Sequence, residues 1–319
     1  MSTDVFANRD HAPQTTVTSF QLSTPTAEIV GRDYAGEGDP IVLLHGGPGV
    51  PDYLGPVAAR LAPGHRVITF DQRGVGASKV RTGGYSIAAY LSDLEAIRTW
   101  LGVKRLHLFG HSWGGLLGQL YAAAYPTRTN SLFLCNSSTG VGPDWKRMER
   151  AVLHHNRRQA GWWGFLAMGG WSLLSLLPGP LGGHGLQGTL AQVWRNYFPD
   201  PATAPPADPR WLAGISRRAM QQTRQAILQE APLLLLQGAS KAAFPVLVLF
   251  GDKDIYGSEA QLVDARYPQA EHIRLDQTGH LPWIQAPERF AALLCSFYEI
   301  AAPPAAPQRD RSLKEGGSS

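Results

Sequence analysis

Three side chains far apart in this chain have the types and the order needed for nucleophilic acyl transfer. Ser112 lies in Gly110-His111-Ser112-Trp113-Gly114, a G-x-S-x-G pentapeptide. A serine hydroxyl is a weak nucleophile at neutral pH and needs a histidine base oriented by a carboxylate. An apolar strand is predicted over 105–109 and a helix over 116–125, the strand–turn–helix setting in which such a serine is lifted clear of a sheet. The tight turn leaves no room for bulk two residues to either side, which accounts for the glycines. Downstream, a strand over 246–250 ends in Gly251-Asp252-Lys253-Asp254, and the next strand leads to Gly279-His280. Asp254 as orienting acid and His280 as base satisfy both order and placement. Asp252 competes for the acid role, and either aspartate could simply form the turn after its strand. Histidines 45, 107, 111, 154 and 155 are rivals to His280, but none follows the last strand in a Gly-His turn.

Acyl transfer also needs donors aimed at the developing oxyanion. The backbone N–H of Trp113, next after the nucleophile, is one candidate. The second falls in His45-Gly46-Gly47-Pro48-Gly49, just after the strand at 41–44. Gly47 is assigned this donor, with Gly46 as the alternative substrate-contacting glycine. The phosphate-binding patterns G-x-G-x-x-G and G-x-x-x-x-G-K-[ST] do not occur at this loop. His107 and His111 are four residues apart but straddle a strand end, so no zinc spacing is present. Neither a cofactor nor a metal is expected.

These residues need a scaffold. Eight strands are predicted, over 15–22, 27–34, 41–44, 67–70, 105–109, 131–135, 246–250 and 272–275. Helices are predicted over 53–61, 87–101, 116–125, 258–265 and 287–300. A leading hairpin followed by strand–helix alternation gives an α/β class with a mostly parallel sheet covered on both faces. Residues 15–137 and 243–300 form this core, with 1–14 and 301–319 as disordered ends. The alternation lapses over 138–242, an interval that is helical in pattern and holds six of the nine tryptophans. Such an insertion reads as a helical cap over the carboxyl ends of the strands, where open sheets bind ligands. Residues 161–177 are expected as a buried or cap helix pair, too broken by glycine and stopped by Pro178 for stable membrane insertion, with contact at a membrane interface as the lesser alternative.

The 319 residues are 44% hydrophobic and 17% charged, which suits a globular chain. A net charge of +4 without Lys/Arg runs argues against a nucleic-acid partner. Cys135 and Cys295, both in apolar runs, are expected to be small buried hydrophobes. No apolar signal region occurs in the first thirty residues, so the cytoplasm is the expected compartment.

Taken with Gly251 to Asp254 and Gly279-His280, three stretches resemble the proline iminopeptidase (prolyl aminopeptidase) group of the α/β-hydrolase superfamily. They are His45 to Gly49, Asp71-Gln72-Arg73-Gly74-Val75-Gly76-Ala77-Ser78, and Gly110 to Gly115. The resemblance covers roughly 27–137 and 243–300. It implies the α/β-hydrolase fold, Ser112, Asp254 and His280 as a triad, a helical cap, no cofactor, and release of an N-terminal residue from small peptides. Asp71 and Arg73 would then be structural, with a surface ion pair as the alternative. An aminopeptidase must also bind an α-ammonium group, and the family does so with cap glutamates; here Glu149 and Glu230 are the candidates. The cap nevertheless holds eleven Lys/Arg against five acids, a balance of +6. The expected function is a cofactor-independent serine hydrolase, iminopeptidase-like, acting on a small-molecule or short-peptide substrate. The alternatives are an esterase or lactonase of a hydrophobic acyl group, and a non-catalytic ligand-binding homologue.

Overall fold

A computed structural model describes residues 16–229, 236 and 242–301. Strands β1 (Val17–Ser23) and β2 (Ala27–Tyr34) pair antiparallel, with Val17 opposite Tyr34. Strands β3 (Ile41–Leu44), β4 (Val67–Phe70), β6 (Leu106–His111), β7 (Thr129–Cys135), β8 (Val246–Gly251) and β9 (Glu271–Leu275) run parallel. The spatial order is β1-β2-β4-β3-β6-β7-β8-β9, and a ninth strand, β5 (Lys79–Val80), pairs with β2. Eight strands match the sequence reading; β5 escaped it because two residues carry no alternation.

The continuous apolar runs of β3 and β8, and the whole of β6 with its two histidines, are buried on both faces, as parallel strands between helical layers must be. Helix α1 (Gly55–Leu61) covers one face. Helices α2 (Ile87–Trp100) and α3 (Trp113–Ala124) cover the other. Side-chain alternation divides the strands accordingly: Val42, Leu44 and Leu108 pack with Leu94 and Leu116, whereas Ile41, Leu43 and Phe109 pack with Val57 and Leu61.

Between β7 and β8 the described residues include four α-helices. They are α4 (Pro143–Leu174), α5 (Gly179–Asn196), α6 (Pro209–Ala213) and α7 (Arg217–Ile227). Gly161, with φ 62° and ψ −176°, breaks α4 into two helical segments. Helices α8 (Gln261–Arg266), α9 (Pro282–Gln285) and α10 (Pro287–Ala301) complete the chain. No helix among the described residues is long and apolar enough to cross a membrane.

Of the two settings expected for 161–177, the buried one does not hold: the segment lies at the end of α4 and in the turn to α5, within the insertion, with Trp162 64% and Trp163 80% exposed. One expectation needs correction: Cys295 is only half-buried, whereas Cys135 is buried as expected. Arg73 has a structural place, as the resemblance implies, and forms no surface pair with Asp71. It is buried and bonded bidentately to Asp93 of α2, at 2.7 Å through both Nε and Nη2, and it also donates to the carbonyls of Gly84 and Ala89. Asp71 instead accepts from the backbone N–H groups of Asp52 and Ala77. Removing one partner of a buried pair strands the other charge, which typically costs about 3–5 kcal/mol. Arg73→Met is therefore expected to lower unfolding stability by about that amount in urea. The double variant Arg73→Met/Asp93→Leu should recover much of the loss.

Candidate active site

Ser112 follows β6 directly and opens α3 with φ 56° and ψ −123°, a conformation few non-glycine residues adopt. Its neighbours explain why that turn closes. A Cβ at Gly114 would lie 2.0 Å from the Leu44 carbonyl oxygen, and one at Gly110 would lie 2.6 Å from the Gly114 oxygen. Trp113 is the first helical residue, so its N–H has no carbonyl four residues back within the helix.

Beyond the carboxyl ends of β8 and β9, His280 Nδ1 lies 2.5 Å from Asp254 Oδ2, with both side chains buried. A carboxylate is an acceptor, so Nδ1 carries the proton and Nε2 presents a lone pair. That Nε2 is buried and has no hydrogen-bond partner. Asp252, the competing acid, pairs instead with Lys253 and accepts from the Thr278 N–H. Asn136 joins the two loops: its amide donates to the Gly279 carbonyl and its oxygen accepts from the Gly251 N–H.

Ser112 meets this pair through Tyr256, a residue the sequence reading did not single out. The Tyr256 hydroxyl lies 3.0 Å from Ser112 Oγ and 2.8 Å from Ser138 Oγ, and its ring packs edge-on against His280. Burial pushes the Tyr256 phenol well up, so it remains a neutral hydroxyl. Ser112 thus hydrogen-bonds to Tyr256 rather than to His280. Tyr256→Phe keeps the ring against His280 but leaves buried serine oxygens short of a partner. It is expected to cost about 1–2 kcal/mol in thermal unfolding and to change kcat by less than about tenfold. A loss of three orders of magnitude would instead make the phenol a proton-transfer group.

A chain of hydrogen bonds fixes the glycine loop. The Gly46 N–H donates to Tyr53 Oη at 2.8 Å, Tyr53 Oη lies 2.6 Å from His111 Nδ1, and His111 Nε2 lies 2.8 Å from the His280 carbonyl. Because that carbonyl can only accept, His111 Nε2 carries the proton and Tyr53 donates to Nδ1. Burial lowers the His111 pKa well below the usual imidazole range, which keeps this neutral tautomer. The Gly46 N–H is therefore occupied. Gly47, with φ 61°, lines the same pocket as Ser112. Gln72 ties this loop to the elbow: its amide donates to the His45 carbonyl, and its oxygen accepts from the Trp113 indole at 2.8 Å.

The pocket over Ser112 encloses about 290 Å³. Trp145, Trp194, Trp211 and Met220 of the insertion and Leu281 of the core give it an apolar lining. Trp211 Nε1 is buried there without a hydrogen-bond partner. Glu149 reaches the pocket but is bound to Arg224 by two hydrogen bonds, one of 2.5 Å and one of 2.7 Å, and accepts from the Trp145 indole. Partial burial would raise its pKa, yet the Arg224 and Trp145 hydrogen bonds outweigh that and hold it below the ordinary glutamate value. Glu230 lies outside the described residues.

A serine at a strand-to-helix turn, with an acid and a histidine after later strands of a mostly parallel sheet, defines an α/β-hydrolase. The chain belongs to that family, described as alpha/beta hydrolase fold, through residues 39–287. It is similar to a proline iminopeptidase of Lactobacillus helveticus, 35% identical over 132 residues, which are 40% of this chain and 44% of that protein. It is also similar to a cis-3-alkyl-4-alkyloxetan-2-one decarboxylase of Shewanella oneidensis, 36% identical over 121 residues, or 37% of this chain and 38% of that protein. The chain thus spans less than half the length of these curated relatives. A hydrolase from Pseudomonas aeruginosa shares the fold, with a TM-score of 0.66 at 22% identity over 90% of this chain and 99% of that one.

Proposed function

We propose that this protein is a cofactor-independent serine hydrolase that works through an acyl-enzyme. The observation that carries the reading is the buried His280–Asp254 bond, which leaves Nε2 as a free acceptor in the site where Ser112 emerges. In this mechanism the Ser112 hydroxyl leaves Tyr256, gives its proton to His280 Nε2 and attacks a substrate carbonyl. The oxyanion forms against the N–H groups of Trp113 and Gly47, Gly46 being engaged by Tyr53. His280 passes the proton to the leaving group, then takes one from the water that releases the acid. Asp254 holds the imidazole in the required tautomer throughout.

For the substrate we infer a neutral, hydrophobic acyl ester or lactone. The lining is largely apolar, and its one acid, Glu149, is already neutralised by Arg224. An α-ammonium group would have to displace that guanidinium. The similarity to an enzyme named for an oxetan-2-one, a cyclic ester, supports this reading. The second reading, removal of an N-terminal residue, is favoured by the likeness to proline iminopeptidases and by a carboxylate in the pocket. A panel of aryl esters of graded chain length, lactones and proline arylamide separates them. Esters with medium acyl chains should exceed proline arylamide at least about 100-fold in kcat/KM, a difference of ~2.7 kcal/mol in activation free energy, and should exceed short-chain esters of the same leaving group. A preference for the arylamide would establish the aminopeptidase. Failure of a fluorophosphonate probe to label Ser112 would leave only a ligand-binding role.

A further inference from the structure

Of the twelve large hydrophobic residues exposed among the described residues, nine fall between Leu153 and Leu181. They include Trp163 at 80%, Leu176 at 73%, Leu173 at 69% and Trp162 at 64% exposure. Isolated exposed leucines need no explanation, but a cluster of this density marks an interaction surface. From Gly161 through Trp194 the chain has no Asp, Glu, Lys or Arg. These 34 residues form the second half of α4, the turn at Leu177 and most of α5. A water-facing helical hairpin without one formal charge is at odds with an aqueous surroundings.

The hairpin is a packed unit. On α5, Gly182, Gly185 and Gly188 lie against the end of α4 and the turn after it so closely that an added Cβ would meet the Leu177 oxygen at 1.9 Å, the Ser175 nitrogen at 2.3 Å and the Trp171 ring at 2.6 Å. The small residues let the two helices approach, with the Trp171 ring packed on Gly188, while Trp162, Trp163, Leu173 and Leu176 stay exposed. Charge returns immediately before the hairpin, as Arg157 and Arg158, both exposed, in a helix that also carries Arg150. Tryptophans and leucines beside arginines are the pattern of an element lying in a bilayer interface, its apolar side among acyl chains and its cations at headgroup level. Anionic headgroups are the complement of those arginines.

We propose that the α4–α5 hairpin is a reversible docking surface for a bilayer containing anionic phospholipid. The apolar face supplies adhesion, and Arg157 and Arg158 supply the preference for negative lipid. The same α5 carries Leu190, Val193 and Trp194 into the pocket over Ser112, so docking sets the pocket beside the membrane. That last consequence rests on the hydrolase reading; the docking itself does not.

The test is co-sedimentation of the full chain with vesicles of phosphatidylcholine alone and with one quarter phosphatidylglycerol. The protein should bind the mixed vesicles at least tenfold more tightly than the neutral ones, and 0.5 M NaCl should weaken binding severalfold. Trp162→Ser/Trp163→Ser should lower affinity at least tenfold without altering turnover of a soluble aryl ester, since neither residue lines the pocket. Ser112→Ala should bind vesicles like the parent chain, which separates docking from catalysis. Absence of binding to either vesicle would overturn the proposal, and equal binding to both would overturn the role of the arginines. Sedimentation velocity should show no dimer that depends on Trp162 and Trp163. Such a dimer would mean that a second copy covers this face instead.

Discussion

Ser112→Ala is expected to lower kcat for any ester substrate by about 10³- to 10⁶-fold, leaving only what binding and the oxyanion donors contribute. The fold should persist, because Ser112 Oγ makes a single side-chain hydrogen bond, to Tyr256. A second substitution separates chemistry from strain. Ser112 holds a positive φ of 56° that a side chain disfavours. Ser112→Gly should therefore be as inactive as the alanine variant yet more stable, by about 1 kcal/mol after the added freedom of the unfolded chain is counted. Thermal melts of the two variants beside single-turnover assays would check both statements. Normal turnover in either one would remove Ser112 from the mechanism.

The second large effect is at Asp254. Asp254→Asn keeps the shape of the side chain, and its Oδ1 can still accept from the Tyr256 N–H. An amide can nevertheless present N–H to His280 Nδ1 and so favour the tautomer with the proton on Nε2. That imidazole cannot accept from serine, and kcat is expected to fall about 10⁴-fold. Asp252→Asn is the control. Its carboxylate is partly exposed and tied to Lys253, so activity should stay within about threefold, in line with the small worth of exposed ion pairs. A reversal of the two effects, read from steady-state kinetics, would exchange the roles of the two aspartates.

Much of the architecture was legible because burial between two helical layers leaves a direct trace in composition. Ile41 to Leu44 and Val246 to Phe250 are apolar without interruption, since both faces of each strand must be covered. The turn glycines were legible for a comparable reason. At Gly110 and Gly114 the backbone comes so close that composition reveals the contact. Polar partners left no such trace. Arg73 meets Asp93 on a helix twenty residues on, and Tyr256 reaches Ser112 across 144 positions, at separations no local period encodes. Gln72 stood inside a stretch already singled out, yet its two-way hold on His45 and Trp113 exists only once three loops meet.

The tryptophans of the insertion mark the limit most clearly. Half of the six line the pocket over Ser112: Trp145, Trp194 and Trp211. Trp162 and Trp163 face water instead, and Trp171 packs its ring on Gly188 between α4 and α5. Hydrophobic periodicity records that a helix has an apolar side but not what that side meets. Glu149 shows the same limit in electrostatics, since its worth as an ammonium receptor depends on Arg224, which tertiary packing alone brings to it. The sequence by itself determined eight of the nine strands and the strand–turn–helix elbow at Ser112, and it pointed to Asp254 and His280, whose side chains the structure brings together, because these follow from local sterics and chain order. Only the tertiary structure decided which polar groups pair and which apolar faces remain open, because both depend on distances between segments that the linear chain does not contain.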